Sequence, residues 1–248
     1  MASSSSAMRG ARMYHSITVV DETSQSISIV DSLLKCKMLG LDAEGVAPRK
    51  RGMITMITLA THGRHVYIFD VQKAEELFED GNLRLLLESA NAIKVVHDFR
   101  NIAETLNNTF GVKVRKIFDT HVAYQTTLIQ KGICETNALS MDDLFALYSK
   151  PVNPESANVK RTVSSEPKCF ASRPITKWMA YYTAFNVCCL LVYVYEEQVR
   201  RIRLKYWPLL AALNEDTLGH RTNSEDLVEE ALLQADKDQE RDQRDRPR

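Results

Sequence analysis

The chain has 248 residues, enough for one large domain or two small ones. It carries 32 Lys and Arg against 32 Asp and Glu, so no global positive charge attracts nucleic acid, and any such binding depends on local patches. The 5 cysteines lack paired CxxC spacing, which argues against a zinc site or a disulfide framework and for reduced thiols in an intracellular protein.

The N-terminal segment, residues 1–12, is rich in serine and contains no acidic residue. It lacks the apolar centre of a secretory signal, so it is expected to be a disordered leader, with a mitochondrial presequence as the alternative. The most apolar later stretch, residues 183–195, is shorter than the ~20 residues that a membrane span needs. The sequence therefore predicts a soluble, cytoplasmic protein with no membrane partner.

The first part of the chain reads mainly as strands. In chain order we predict a strand at 14–20, a helix at 23–36, a strand carrying Asp42 and two further strands at 53–60 and 64–71. The last two strands are separated by Thr61, His62 and Gly63, which predicts a hairpin.

Strands and helices alternate in the next part. We predict a helix around 82–90, a strand at 93–97, a helix at 101–109, a strand at 114–119 and a helix after Asp119. A hairpin followed by this alternation predicts an α/β fold with a mixed central sheet flanked by helices on both sides. Neither a GxGxxG nor a Walker A motif is present, so nucleotide-binding Rossmann and P-loop folds lack their fingerprint.

The pattern changes after Lys150. Residues 151–167 are polar and rich in proline and serine, which predicts a long loop. A long helix is expected from about 174 to 205. Residues 211–248 form a charged C-terminal tail that is expected to be mostly disordered, apart from one short helix at 224–235.

Two acidic side chains, Asp42 and Glu44, follow an apolar run. Strand side chains alternate between faces, so the two carboxylates point the same way if the strand continues through them. Like charges on one face repel unless a cation or a water-filled cleft receives them. The pair is therefore either a set of metal ligands or the end of a strand running into a turn.

The order of four segments resembles the DEDD-type 3′–5′ exonuclease family, which has a ribonuclease-H-like fold. The segments are the Asp-Ala-Glu of residues 42–44, KVVHDFRNIAETL in the middle, FDTHVA soon after it and MAYYTAFNVCCLL on a late helix. The resemblance covers about residues 14–200 and implies an exonuclease-like domain at 13–210. Asp-Ala-Glu-Gly together with His-Asp-x-Arg is similar to the Egalitarian-like branch.

The resemblance implies a site of four carboxylates that hold two divalent ions, with a tyrosine that orients the attacking water. The first two carboxylates correspond to Asp42 and Glu44, and the tyrosine corresponds to Tyr182. The other two positions hold Ile102 and Asn186, which carry no charge. With two carboxylates, Asp42 and Glu44, the metal site is expected to be weak or empty, so no cofactor is expected, and Mg²⁺ or Mn²⁺ only with residual activity.

Other candidate residues receive simpler interpretations. Asp119 corresponds to an acidic position that usually secures the strand–helix junction of this fold. His97 and His121 are interpreted as core or junction histidines. For RNA contact, the candidates are Arg49, Lys50, Arg51 and Arg100, with the first three expected at the mouth of the cleft.

Three functions follow from the resemblance. The first is a catalytically inactive domain that binds single-stranded RNA weakly and acts as an adapter in a germline RNA-silencing complex of the piRNA type, or in RNA transport. Such a complex implies protein partners and a place in cytoplasmic RNA granules, and leaves a homodimer open. The second is a weakly active, metal-dependent 3′–5′ exonuclease. The third is a protein-interaction scaffold with a vestigial cleft.

Overall fold

A six-stranded sheet forms the centre of the fold in the computed structural model, which describes residues 13–46, 52–134, 138–220 and 222–244. The strands are β1 (Ser16–Val20), β2 (Met38–Val46), β3 (Met53–Ala60), β4 (His65–Phe69), β5 (Ile93–Val96) and β6 (Ile117–Asp119). Their spatial order is β1-β4-β3-β2-β5-β6. β3 runs antiparallel to β2 and β4, whereas β1, β5 and β6 each pair with a parallel neighbour. The predicted mixed sheet and the β3–β4 hairpin are confirmed.

Helices pack against the sheet and make up most of the chain after β6. They are α1 (Thr23–Leu33), α2 (Leu83–Glu88), α3 (Arg100–Phe110), α4 (Thr120–Ile129), α5 (Met141–Leu147), α6 (Ser156–Ser165), α7 (Lys177–Cys189), α8 (Tyr195–Arg201), α9 (Trp207–Thr217) and α10 (Ser224–Arg244). A π-helical turn, Leu190–Val194, joins α7 to α8.

Two hydrophobic cores lie on the two faces of the sheet. One core joins Leu39, Leu41 and Ala43 of β2 to apolar residues of α1, α2 and α3. The other joins alternate residues of β3, β4 and β5 to α4, α5, α7 and α9. The strand period of two therefore sorts the side chains of β2 between two helical layers, and the predicted helices on both sides of the sheet are confirmed.

The long helix predicted from 174 to 205 is the central helix of the second core. Residues Lys177–Arg201 are long and apolar enough to cross a membrane, but 61% of the most apolar window is buried inside the fold. That burial is typical of the core helix of a globular domain. Two polar residues of this apolar stretch, Thr183 and Asn186, are buried with it.

The segment predicted as a loop at 151–167 contains α6, so that prediction is wrong. The hydroxyl groups of Thr162 and Ser164 donate to the carbonyls four residues earlier, so these side chains bond to the helix itself. Asp142 of α5 also holds α6, because it accepts hydrogen bonds from Ser156 Oγ (2.6 Å) and Lys160 Nζ (2.8 Å). The contacts to Asp142 come from outside the segment and are not visible in its composition.

The C-terminal part is more helical than expected. The predicted boundary at residue 210 falls inside α9, and the short helix expected at 224–235 is the first half of the longer α10. Ala231 and Ala235 of α10 are buried in the fold. The carboxylate of Asp238 pairs with Arg203 and Lys205, which fixes the middle of α10 to the segment before α9.

Candidate functional site

Asp42 and Glu44 lie side by side on the face of β2 that α7 covers. The strand continues through both residues to Val46, so they do not begin a turn. Asp42 is buried and its Oδ1 accepts the Ala43 N–H (2.9 Å), whereas Glu44 is half-buried. The register with β3 shifts between Glu44 and Gly45, and a Cβ on Gly45 would lie 1.9 Å from the Met53 carbonyl oxygen. Only glycine therefore allows this bulge, which sets the position of Glu44.

A second glycine brings α7 close to the sheet. A Cβ on Gly40 would lie 2.5 Å from the carbonyl oxygen of Val187, so the helix backbone rests directly on β2. Thr176 caps the N-terminus of the helix, because its hydroxyl accepts the Met179 N–H (3.5 Å). This close packing turns Tyr182 and Asn186, which are four residues apart, towards the carboxylates of β2.

The pKa of Tyr182 is raised, which reflects its burial and its position close to these carboxylates. Burial raises the pKa of the phenol, and the negative charges of Glu44 and Asp42 raise it further. A hydrogen bond with the side chain of Asn186 opposes that rise. Tyr182 is therefore a neutral phenol at physiological pH, in contact with Asn186 and under the influence of both carboxylates.

The side chain of Asn186 is held by a second amide. Its Oδ1 accepts a hydrogen bond from Asn153 Nδ2 (2.8 Å), and the same Nδ2 donates to the Tyr182 carbonyl oxygen (2.8 Å). Both asparagines are buried. The oxygen of Asn186 is thus already bonded, and its amide brings no charge to the site.

Ile102 is an apolar core residue at the position where the family resemblance implies a carboxylate. It is 1% exposed and packs in the core that contains Leu41 and Ala43. Like Asp42 and Asn186, it is not among the residues that line the cleft beside Glu44. The structure thus assigns Ile102 to the apolar core, where it supplies no polar atom.

His97 and Asp119 fix the loop after β5. The carboxylate of Asp119 accepts the N–H groups of Asp98, Phe99 and His121, which confirms its junction role. His97 Nε2 lies 2.8 Å from the Leu139 carbonyl and its Nδ1 lies 2.9 Å from the Thr120 hydroxyl. Burial is the largest cause that lowers the pKa of His97, and its Nε2 donates to the Leu139 carbonyl.

The cleft beside these residues has a volume of about 690 Å³ and lies between the sheet and α6. Glu44, His97 and Tyr182 line one part of it. Val159 and Val163 of α6, with Phe170, supply apolar surface, and Asp142 and Lys160 form an ion pair at 2.8 Å. The hydrogen bond and the charge of Asp142 raise the pKa of Lys160. The cleft thus combines apolar surface from α6 and Phe170 with the charged side chains of Glu44, Asp142 and Lys160.

The residues predicted to contact RNA are four cations in two parts of the chain, at 49–51 and at Arg100. Arg49, Lys50 and Arg51 lie outside the described residues. Arg100 is exposed and begins α3. A cation at a helix N-terminus is unfavourable to the helix dipole, so helix stability does not explain this residue.

Across the ranges that the structure describes, no group of three or more His, Cys, Asp and Glu side chains is arranged to hold a metal ion. The charges of Glu44, Asp42 and Asp142 all act on Tyr182, and Asp142 is paired with Lys160. The sequence interpretation missed Asn153 and the cover formed by α6. The only local signal was Asn153 between two prolines, which resembles a turn rather than a buried amide.

Comparisons with known proteins agree with this geometry. The family model for a 3′–5′ exonuclease matches residues 17–197. An Egalitarian protein homolog of Caenorhabditis elegans is 28% identical over 165 residues, which cover 64% of this chain and 28% of that protein. The piRNA biogenesis protein EXD1 of Mus musculus is 30% identical over 107 residues, covering 43% of this chain and 19% of that protein. The chain therefore spans less than a third of the length of either relative.

Solved structures share the fold. RNase D of Trypanosoma brucei superposes with a TM-score of 0.68 at 18% identity, covering 87% of this chain and 81% of that one. The Nibbler EXO domain of Aedes aegypti gives a TM-score of 0.61 at 18% identity, covering 79% of this chain and 94% of that one. With most of its length matched by the family model and its sheet and helices in the same arrangement, this chain belongs to the 3′–5′ exonuclease family.

Proposed function

We propose that this chain is a catalytically inactive 3′–5′ exonuclease-like domain that binds single-stranded RNA as an adapter in an RNA-processing complex of the piRNA type. The observation that carries the proposal is the state of Asn186, a neutral amide whose oxygen is bonded to Asn153. It stands beside Asp42, Glu44 and Tyr182, where the family resemblance expects a charged metal ligand.

The residues present do not fit two divalent ions. Two hard cations about 4 Å apart need several anionic oxygen ligands to balance their charge. Asp42 and Glu44 bring two negative charges, while Ile102 is buried in an apolar core and Asn186 is neutral. The site is therefore short of the negative charge that two-metal catalysis needs.

RNA remains the ligand that the surroundings favour. The cleft offers apolar surface from α6 beside Tyr182, and Arg100 is an exposed cation after the same strand as His97. The relatives include piRNA biogenesis proteins, and the RNase D of Trypanosoma brucei has been solved with RNA U12. We extend an RNA-related role from those proteins to this chain, with partners drawn from an RNA-silencing or RNA-transport complex.

A second candidate is a weakly active, metal-dependent exonuclease. The retention of Asp42, Glu44 and Tyr182 in one place favours it. A protein-interaction scaffold with an unused cleft is the third candidate. A nuclease assay separates the second candidate from the other two, and cross-linking to RNA separates the first from the third.

The proposal is tested by cross-linking the full chain to a labelled single-stranded RNA over a range of salt concentrations. Binding should be micromolar or weaker and should fall steeply with added salt, because phosphate contacts dominate. Changing Arg49, Lys50, Arg51 and Arg100 to Glu should abolish cross-linking without lowering the melting temperature. The matched control changes Lys113, Arg115, Lys116 and Lys131 to Glu, which alters the net charge equally.

The control should weaken cross-linking far less than the four changes at Arg49, Lys50, Arg51 and Arg100. Equal losses in the two variants would place the RNA on another surface. No cross-linking by the wild-type chain at any salt concentration would favour the scaffold instead.

A further inference from the structure

A second cavity, of about 630 Å³, lies against the side of α7 next to the cleft. Four aromatic rings contribute to its lining, those of Tyr14, Tyr181, Phe185 and Tyr193. The rings of Tyr14 and Tyr181 stack with centroids 5.7 Å apart and an interplanar angle of 20°. Aromatic rings on the lining suit a flat ring system.

The ring of Tyr193 is held in place by two cations. Arg64 Nη2 donates to its hydroxyl (3.1 Å), and the Arg64 guanidinium lies 5.7 Å from the ring centroid. Lys150 Nζ lies 5.6 Å from the same centroid. Tyr193 belongs to the π-helical turn between α7 and α8, a local departure from helix geometry that often occurs at functional sites.

The charges around this cavity are balanced. Lys150 pairs with Glu197 at 3.6 Å, and Glu155 lies on the lining with Lys150. On the lining itself one cation, Lys150, is matched by one carboxylate, Glu155. This balance does not favour a polyanion, but it suits an uncharged ring with polar edges. The carboxylate of Glu155 is an acceptor for an exocyclic amino group.

We propose that this cavity binds a nucleobase, stacked on the tyrosine rings, with Glu155 accepting its exocyclic amino group. The volume falls within the usual range for small-molecule sites, and stacking on aromatic side chains is the main way that proteins hold an unpaired base. The base comes either from a free nucleoside or from single-stranded RNA. Because the site is separate from the cleft, its test does not depend on whether the cleft holds RNA.

Asn153 connects the two cavities. It lines the aromatic cavity, while its Nδ2 bonds to Asn186 Oδ1 and to the Tyr182 carbonyl beside the cleft. A base in the aromatic cavity therefore contacts the segment that holds Asn186. The same segment continues into α6, which covers the cleft. At this junction Asn153 Oδ1 accepts the Glu155 N–H (3.0 Å).

In the test, the full chain is titrated with guanosine, cytidine and uridine, and the affinity of each is measured by saturation-transfer NMR and calorimetry. Guanosine and cytidine should bind more tightly than uridine, which lacks an exocyclic amino group. Val152→Glu places a charge in the aromatic cavity and should weaken binding at least tenfold. Leu147→Glu is the matched control, because Leu147 is equally exposed (46% against 47%) and does not line the cavity.

Two further variants sharpen the result. Tyr181→Ala removes an exposed stacking ring and should also weaken all three nucleosides. Glu155→Gln should reduce the preference over uridine and leave uridine binding unchanged. A short single-stranded oligonucleotide that binds far more tightly than any nucleoside would identify RNA as the source of the base, and equal affinities would identify the free nucleoside.

Three outcomes would overturn the proposal: the same loss of binding in Val152→Glu and Leu147→Glu, binding of ribose as tight as that of the nucleosides, or no nucleoside binding at millimolar concentration.

Discussion

Asn186 differs from an aspartate only in its amide nitrogen, and its surroundings are complementary to the amide. Asn153 donates to its oxygen, and Tyr182 hydrogen-bonds with the same side chain. Both partners could also bond to a carboxylate, so the position can accept a charge without losing its hydrogen bonds. Ile102 has no such polar surroundings, because it lies in a hydrophobic core.

Ile102→Asp should therefore destabilise the domain. The change buries a carboxylate without a partner and removes apolar volume, which together cost several kcal/mol, about 3–5. Ile102→Val, which removes one methylene, should cost only about 1 kcal/mol. Urea unfolding measures both. A loss below about 1 kcal/mol for Ile102→Asp would mean that the side chain reaches solvent.

The double change Ile102→Asp with Asn186→Asp tests whether the two positions are vacated ligand sites. Two added carboxylates beside Asp42 and Glu44 should increase affinity for Mn²⁺, and bound metal should offset part of the lost stability. The melting temperature of this variant should rise with Mn²⁺. The control, Ile102→Asp with Asn107→Asp, has the same charge on an exposed position of α3 and should not respond. Equal responses would show that these are not ligand positions.

Two elements, β2 and α7, set the geometry of the site through their close contact. The contact depends on Gly40, where a side chain would meet the helix backbone at Val187. Backbone cannot move aside as a flexible side chain can. The distance between the carboxylates of β2 and the Tyr182–Asn186 pair is therefore a consequence of one missing Cβ.

Gly40→Ala should push α7 away from β2 and destabilise the fold by about 1–3 kcal/mol through overpacking. Gly63→Ala is the control, because the nearest atom to its added Cβ is in the His65 side chain, at 3.3 Å. Thermal unfolding measures both variants. If Gly40→Ala melts within a degree of the wild type, the close approach of α7 is not required.

β5 contributes a buried lysine whose titration affects stability. Lys94 is fully buried and donates to the carbonyl oxygens of Ser89 and Arg115. Burial, followed by the charges of Lys116 and Arg115, lowers its pKa from 10.5 to about 8. Between these two values the unfolded chain binds the proton and the folded chain does not, so stability rises with pH over that window.

The free energy of unfolding should therefore contain a term of about 2 kcal/mol that appears between pH 7.5 and pH 10. Lys94→Met, which cannot titrate, should lack this term. The free energy of unfolding is measured in urea for the wild type and Lys94→Met at pH 7.5 and at pH 10. The difference between the two proteins is then compared at the two pH values. A difference that stays constant or changes in the opposite direction would contradict the lowered pKa.

At the scale of the whole molecule, the sequence predicted the parts that depend on local periodicity. Alternation along β2 placed Asp42 and Glu44 on one face, and helical spacing predicted the layers that cover the sheet. The extent of α6 and the end of the chain were not predicted. Their helices are stabilised by Asp142, Lys205 and other residues distant in sequence, so their own polar composition is misleading.

The site was also predicted only in part. The family motif located Tyr182 and Asn186, and the packing of α7 brings them to the carboxylates of β2. Asn153, which bonds to Asn186, lies 33 residues away from it. A contact of that kind depends on the tertiary fold, so it could not be inferred from the segment around it.

The most direct test of the central claim is a nuclease assay on the intact chain. A 5′-labelled single-stranded RNA is incubated with the protein and Mg²⁺ or Mn²⁺, and its length is followed over time. Because Asn186 and Ile102 supply no charged ligand, we predict no shortening from the 3′ end beyond the level seen with Asp42→Ala. Metal-dependent shortening by the wild type that disappears in Asp42→Ala would contradict the account and identify the chain as an active exonuclease.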